Sequence, residues 1–303
     1  MWRDNDDDND SLIEWLEMPS EATNRILVHG ISGLMDAGSA VQIAVNYLLE
    51  TLEHKHLAAI DIDLLFDYRN RRPRMTYLSD HFGDIELPSL DLVECVDTMG
   101  QKFILLHGQE PSLGWMTLVD SLVDMVDSLN VHLTVGMQAF PFPAPHTRPI
   151  AVTTHATNKE LLKGRVPWVG DMEVPGTLAA YVELQLGRDG HSAVGLAAHV
   201  PHYLANMEHL RSGLTLLTEV MGMTGLVFSL DDLRERADSA DAELNDQLQA
   251  NPENIEVVKS LEQSFDALVA ERGLPNPIQT PSGEEIAAQV EQFLAELEGR
   301  DQE

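Results

Sequence analysis

RILVHGISGLMDAGSAVQIAVNYLLETL, residues 25 to 52, reads as a strand, a glycine-bearing turn and a helix in direct succession. The apolar run closes on a His-Gly pair. Behind the turn, Val41, Ala44, Val45, Leu48, Leu49 and Leu52 recur with helical spacing. KFILLHG, residues 102 to 108, ends in the same pair, and its unbroken apolar run suits a strand covered on both faces of a parallel sheet. In such sheets ligands bind in the crevice outside the carboxyl ends of the strands. There a glycine permits a sharp change of direction, and an imidazole that titrates near neutrality is delivered to the crevice.

Working outward, HLAAIDIDLLFDY (56–68) alternates around Asp61 and Asp63 as a half-buried strand does. RPRMTYL (72–78) and DIELPSLDLVECVD (84–97) read as extended segments, with Pro88 favouring an edge position. A helix is expected over 115–129, with Trp115, Leu118, Leu122, Val126 and Leu129 on one stripe. Asp120, Asp124 and Asp127 form a second stripe, which a solvated face explains better than a metal site. Strands follow at 131–140, 150–157 and 192–200, and helices at 177–190 and 206–222. Strands alternating with helices mean an α/β fold, a mostly parallel sheet with helices on both faces.

Three regions are expected. Residues 1–21 carry eight acids against Arg3 alone and read as an acidic leader with at most a short helix from Leu12 to Met18. Residues 22–228 form the α/β domain. Residues 229–303 form an acidic helical appendage: from Asp231 onward there are 19 acids against 5 bases, and amphipathic stripes run through Ile255, Val258, Leu261, Phe265 and Leu268 and through Ile286, Val290, Phe293 and Leu297. The stretch 273–283 between them has the composition of a linker.

The formal net charge of −31 repels a polyphosphate backbone and an anionic membrane surface alike, so neither nucleic acid nor membrane is an expected partner. Cys95 is the single cysteine and sits among apolar residues, as a packed thiol in a reducing compartment does. The acidic start resembles no secretory signal, and 214–230 contains Glu219 and two glycines, which a clean membrane span lacks. A cytoplasmic protein is expected. No phosphate-binding loop, nucleophile elbow or dinucleotide fingerprint occurs. His199 and His202 stand three apart, but Pro201 breaks a regular helix there, so neither a metal nor a cofactor is expected.

Candidate ligand groups at the crevice are His29 and His107 at the two strand ends, with His199 and His155 reaching the same level. Arg69, Arg71 and Arg72 before Pro73, and His146 with Arg148 before Pro149, suit a carboxylate or phosphate clamp; neutralisation of the chain's own acids, Asp67 among them, is the competing explanation. Asp36 ahead of the first helix suits either a base or a helix cap.

Taken in order, VHGISGLMDAGSAVQIAVNYLLE, DYRNRRP, ILLHGQEPSLGW, HTRPIAVTTHAT and HVPHYL resemble the actinobacterial branch of the proteasome assembly chaperone 2 family, over about residues 25 to 225. The resemblance implies a three-layer α/β/α fold like that of purine nucleoside phosphorylases and related hydrolases, and self-association into small oligomers, trimers first. It carries over Asp36, Ala37 and Gly38; Asp67, Arg72 and Pro73; His107, Gly108, Glu110 and Pro111; His146, Arg148 and Pro149; and Pro201 with His202. At the first turn the family often has a Gly-Trp-like pair where this chain has ISGLMDAG.

Two functions stand side by side. One is a noncatalytic assembly or scaffolding protein whose acidic appendage meets a protein partner. The other is a nucleoside phosphorylase or hydrolase-like enzyme, or a small-anion-binding protein. In that case His107 or His202 serves as acid, Asp36 or Glu110 as base or ribose ligand, and Arg72 and Arg148 hold the anion.

Overall fold

The computed structural model describes residues 12–21, 24–162, 165, 171–250 and 252–272. In chain order they form β1 (Ile13–Trp15), β2 (Arg25–Ser32), α1 (Ala40–Thr51), β3 (His54–Ile60), β4 (Arg74–Leu78), β5 (His81–Glu86), β6 (Leu90–Val96), β7 (Lys102–Gln109) and α2 (Trp115–Ser128). Then come β8 (Val131–Phe142), β9 (Val152–Ala156), α3 (Leu178–Arg188), β10 (Ala193–Pro201), α4 (Leu210–Thr224), α5 (Asp231–Gln249) and α6 (Pro252–Arg272).

Eight strands make one sheet in the order β1-β3-β6-β7-β2-β8-β10-β9. The four central strands β7, β2, β8 and β10 are parallel. β3 shares their direction, while β6 and the outer β1 and β9 run opposite, so the sheet is mixed and mostly parallel. The alternation along β7 shows why it needs no polar residue. Phe103 and Leu105 face the layer containing α1 and α4, whereas Ile104 and Leu106 face the layer containing α2 and α3. All four are buried, each contributing about 1.5–3 kcal/mol of apolar burial. The architecture is three-layer α/β/α with C-terminal helices.

Several local expectations change. β1 lies inside the stretch read as a solvated leader: instead of a short helix, Ile13, Glu14 and Trp15 pair antiparallel with β3, and Leu12 and Ile13 join the core. β3 stops at Ile60, because the Asp61 carboxylate accepts from the Asp63 amide at 3.0 Å and starts a tight helical turn over Ile62–Leu64. Pro88 marks no edge. It precedes β6, which is an interior strand between β3 and β7. KFILLHG has one parallel neighbour, β2, and one antiparallel neighbour, β6.

The C-terminal helices pack on the body. Leu233 and Ala237 of α5 complete the core beside α1 and α4. Phe265 of α6 packs with Phe142, Ala144 and Ala151 at the carboxyl end of β8. The hairpin β4–β5 stands outside the sheet with every residue exposed. No helix among the described residues is long and apolar enough to cross a membrane.

Candidate functional site

The candidate residues separate into distinct environments. His29 lies in the core on the face covered by α3, because it belongs to the alternation Leu27, His29, Ile31. One row across the sheet reads His29, Gly136, Gly195, His155, from β2, β8, β10 and β9. Both imidazoles fold over the glycines: a Cβ on Gly136 would stand 2.4 Å from the His29 ring, and one on Gly195 would stand 1.9 Å from the His155 ring. His155 Nδ1 is 2.8 Å from the Glu183 carboxylate of α3. Burial pushes the His29 imidazole down to about 4, against a smaller upward pull from Glu183. His29 is therefore neutral at pH 7, and its Nδ1 has no hydrogen-bond partner among the described residues.

A second group gathers where β8 and β10 end. His199 is fully buried between Phe140 and Phe142, with ring centroids at 4.7 and 4.4 Å. Its Nε2 is 2.7 Å from Thr153 Oγ1, and burial lowers it to about 4. His146 places Nδ1 2.7 Å from the Tyr203 hydroxyl and Nε2 3.1 Å from Asn245 Oδ1 of α5. Arg148 donates to both oxygens of Asp266, at 2.9 and 2.8 Å, and to Glu262 at 3.1 Å. These bonds raise the Arg148 guanidinium and hold the Asp266 carboxyl below its usual range. His202 is exposed beside Tyr203, ring centroids 5.4 Å apart. Helix α6 thus sits over the crevice that ligands use in open parallel sheets.

The remaining candidates hold loops. Asp36 accepts from the Val41 amide at 2.7 Å and caps the start of α1, while burial pushes its carboxyl up to about 6. Gly38 adopts φ +65° and packs against His209 and Val200. Glu110 accepts from the Leu178 amide at 2.7 Å, so it caps α3 from a loop far away in sequence. Asp67 shapes a turn by accepting from the Arg69 amide at 3.0 Å. His107 is half-buried opposite Asp91, and burial lowers its imidazole. Arg72 is exposed in the segment leading to the β4–β5 hairpin.

The structure therefore joins His146, Arg148 and His199, and leaves His29, His107 and Arg72 apart from them. Tyr203, Asn245, Glu262 and Asp266 escaped the sequence reading. The four-residue spacing of Glu262 and Asp266, flanking Phe265 on the expected amphipathic helix, was the available signal. Chemically, the joined group docks a helix: the buried, neutral His199, the His146 ring held between Tyr203 and Asn245, and a guanidinium neutralised by two carboxylates. Replacing Arg148 by Gln should raise amide exchange across α6 about threefold while leaving β2 and β8 unchanged, as read by hydrogen-exchange mass spectrometry. Unchanged exchange in α6 would assign its docking to Phe265 alone.

Comparison with known proteins agrees with this architecture. Residues 30–248 match the model of the PAC2 family. A solved protein of unknown function from Mycobacterium tuberculosis is 34% identical with a TM-score of 0.83, over 88% of this chain and 95% of that one. A protein of unknown function from Corynebacterium glutamicum is 30% identical with a TM-score of 0.80, over 85% and 97%. The proteasome-assembly chaperone homologue of Mycobacterium tuberculosis is 26% identical with a TM-score of 0.70, over 77% and 99%. No curated protein matches the chain.

Proposed function

The chain belongs to the PAC2 family, and from that premise we propose that it is a noncatalytic, assembly-chaperone-like protein of the cytoplasm that acts by associating with proteins, beginning with copies of itself. Its likeness to a protein described as a proteasome-assembly chaperone homologue supports the reading. The observation that carries it is the β4–β5 hairpin. An isolated two-stranded ribbon is marginal in water. This one nevertheless exposes Met75 opposite Ile85 and Tyr77 opposite Phe82, the last pair in edge contact at 5.3 Å. Met75, Tyr77, Phe82 and Ile85 are 53, 61, 67 and 46% exposed. Apolar surface so concentrated marks an association site. We take the oligomer to be a trimer, with the acidic face of α5 and α6 as a second surface for a protein partner.

The enzyme reading requires an acid, a base and an anion holder in one place. Arg148 is engaged by Asp266 and Glu262, Glu110 by the start of α3, and Asp36 by the start of α1, so both of its base candidates and one of its two anion holders carry structural bonds. The test is sedimentation velocity on the parent protein and on Tyr77→Asp/Phe82→Asp. The parent is expected to self-associate and the double variant to run as a monomer with an unchanged melting temperature. A parent that stays monomeric at every concentration tested sinks the reading.

A further inference from the structure

Beside the hairpin root lies a cleft of about 360 Å³ lined by Arg71, Arg72, Arg74, Gln42, Gln109 and Glu86. In a chain with 50 acids and 19 bases, three guanidinium groups here face one cleft with a single carboxylate among them. Neighbouring arginines behave differently. Arg69 finds Asp67, whereas among the described residues no carboxylate lies within ion-pair distance of Arg71, Arg72 or Arg74. Arg71 is steadied instead by donating to the Glu110 carbonyl at 3.3 Å. Three like charges gathered around one carboxylate, Glu86, the cross-strand partner of Arg74, are only partly compensated, and the remaining repulsion is relieved by an anion from outside.

The walls are set by the two His-Gly pairs. Gly30 lets α1 approach β2, since a Cβ there would stand 2.4 Å from Val45 Cγ2; this holds Gln42, one residue beyond Val41, over the cleft. Gly108 lets the end of β7 lie against Ser89, beside Pro88 and Gln109, which both line the cleft. Pro73 and Pro88 stiffen the two loops.

We propose that this cleft binds a doubly charged phosphate group, free or carried by a small metabolite. Three guanidinium forks against one carboxylate leave two positive charges uncompensated, matching a phosphate dianion. The peripheral oxygens of a phosphate accept from three forks at once, whereas a carboxylate has two oxygens to offer. The volume is at the lower end of that of small-molecule sites, enough for a phosphate and a small organic body. The proposal goes beyond the association reading and has a separate readout.

The test is isothermal titration calorimetry of the full chain with inorganic phosphate, glycerol 3-phosphate and citrate. Saturable phosphate binding is expected, with citrate weaker and affinity falling at least about tenfold in Arg72→Gln/Arg74→Gln. Arg71→Gln alone should weaken it in the same direction, which keeps the test decisive if the double variant folds poorly. A tighter fit to glycerol 3-phosphate than to phosphate would assign the cleft to a metabolite, and an equal fit to the free ion. Absence of saturable phosphate binding, preference for citrate, or full binding in the variants would overturn the proposal. So would a change in oligomeric state in the variants without phosphate binding, which would give the cleft to a subunit contact.

Discussion

Alanine in place of Gly108 is expected to destabilise the protein by about 4 kcal/mol, lowering the melting temperature by about 8–15 °C. Two independent terms add. Gly108 holds φ at +142°, where a side chain is strained by about 1–3 kcal/mol. A Cβ would also stand 2.0 Å from the Ser89 carbonyl oxygen and 2.8 Å from Leu90 Cα. Both are backbone atoms, and Leu90 is the register partner of Gly108 on β6, so relief requires β6 to draw away from β7. Such overpacking costs about 1–3 kcal/mol more. Gly100→Ala separates the terms. Gly100 has φ +83° but nothing within 4 Å, so it should lose about 1 kcal/mol, the conformational part alone. Equal losses at both positions, measured by urea unfolding, would show that the approach to Ser89 is not what requires the glycine at 108.

That glycine also shows how far the sequence could be read. The strands and helices of the centre were legible because their signals are local: unbroken apolar runs for β2 and β7, and stripes for α1, α2 and α4. Strand direction is not local. Alternation reads the same in either sense, so β6 and β9 gave no warning that they run opposite to the central strands. β1 was lost because three residues in an acidic leader carry too little pattern. The His-Gly pairs were noticed, but their division of labour was not. The glycines admit α1 and Ser89, whereas His29 turns into the core and His107 stays half-buried. Pairings across long separations were equally out of reach. Arg148 meets Asp266 across 118 positions, and Glu110 meets Leu178 across 68. Arg72 was named from the sequence as an anion holder, but Gln42, Arg74 and Gln109 line the same cleft only once three separate elements are folded.

Acid is expected to unfold this protein over a window set by buried histidines. Burial holds His29, His199 and His209 at about 4, against an ordinary value near 6.5. In the folded protein all three stay neutral down to about pH 4, while in the unfolded chain they take up protons below about pH 6.5. The unfolded state therefore binds more protons between these limits, and stability falls as pH falls, by about 1.4 kcal/mol per pH unit for each proton. Asp36 acts in the opposite sense. Its folded value is raised to about 6, so the folded state takes up its proton first and gains stability as pH falls from about 6 towards the ordinary carboxylate value of 3.8. Three groups against one leave a net uptake of about two protons on unfolding, and a loss on the order of 5–8 kcal/mol between pH 6.5 and 4. Urea titrations at pH 7, 6 and 5 should give falling midpoints at a constant m-value. The variant His29→Leu should reduce the slope by about one proton. At pH 7 it should match or exceed the parent, because leucine suits the face shared with Leu178 and Val182 and removes the unpartnered Nδ1. A stability independent of pH between 7 and 5, or a slope unaltered in His29→Leu, would mean that these imidazoles are charged or solvated in the folded protein.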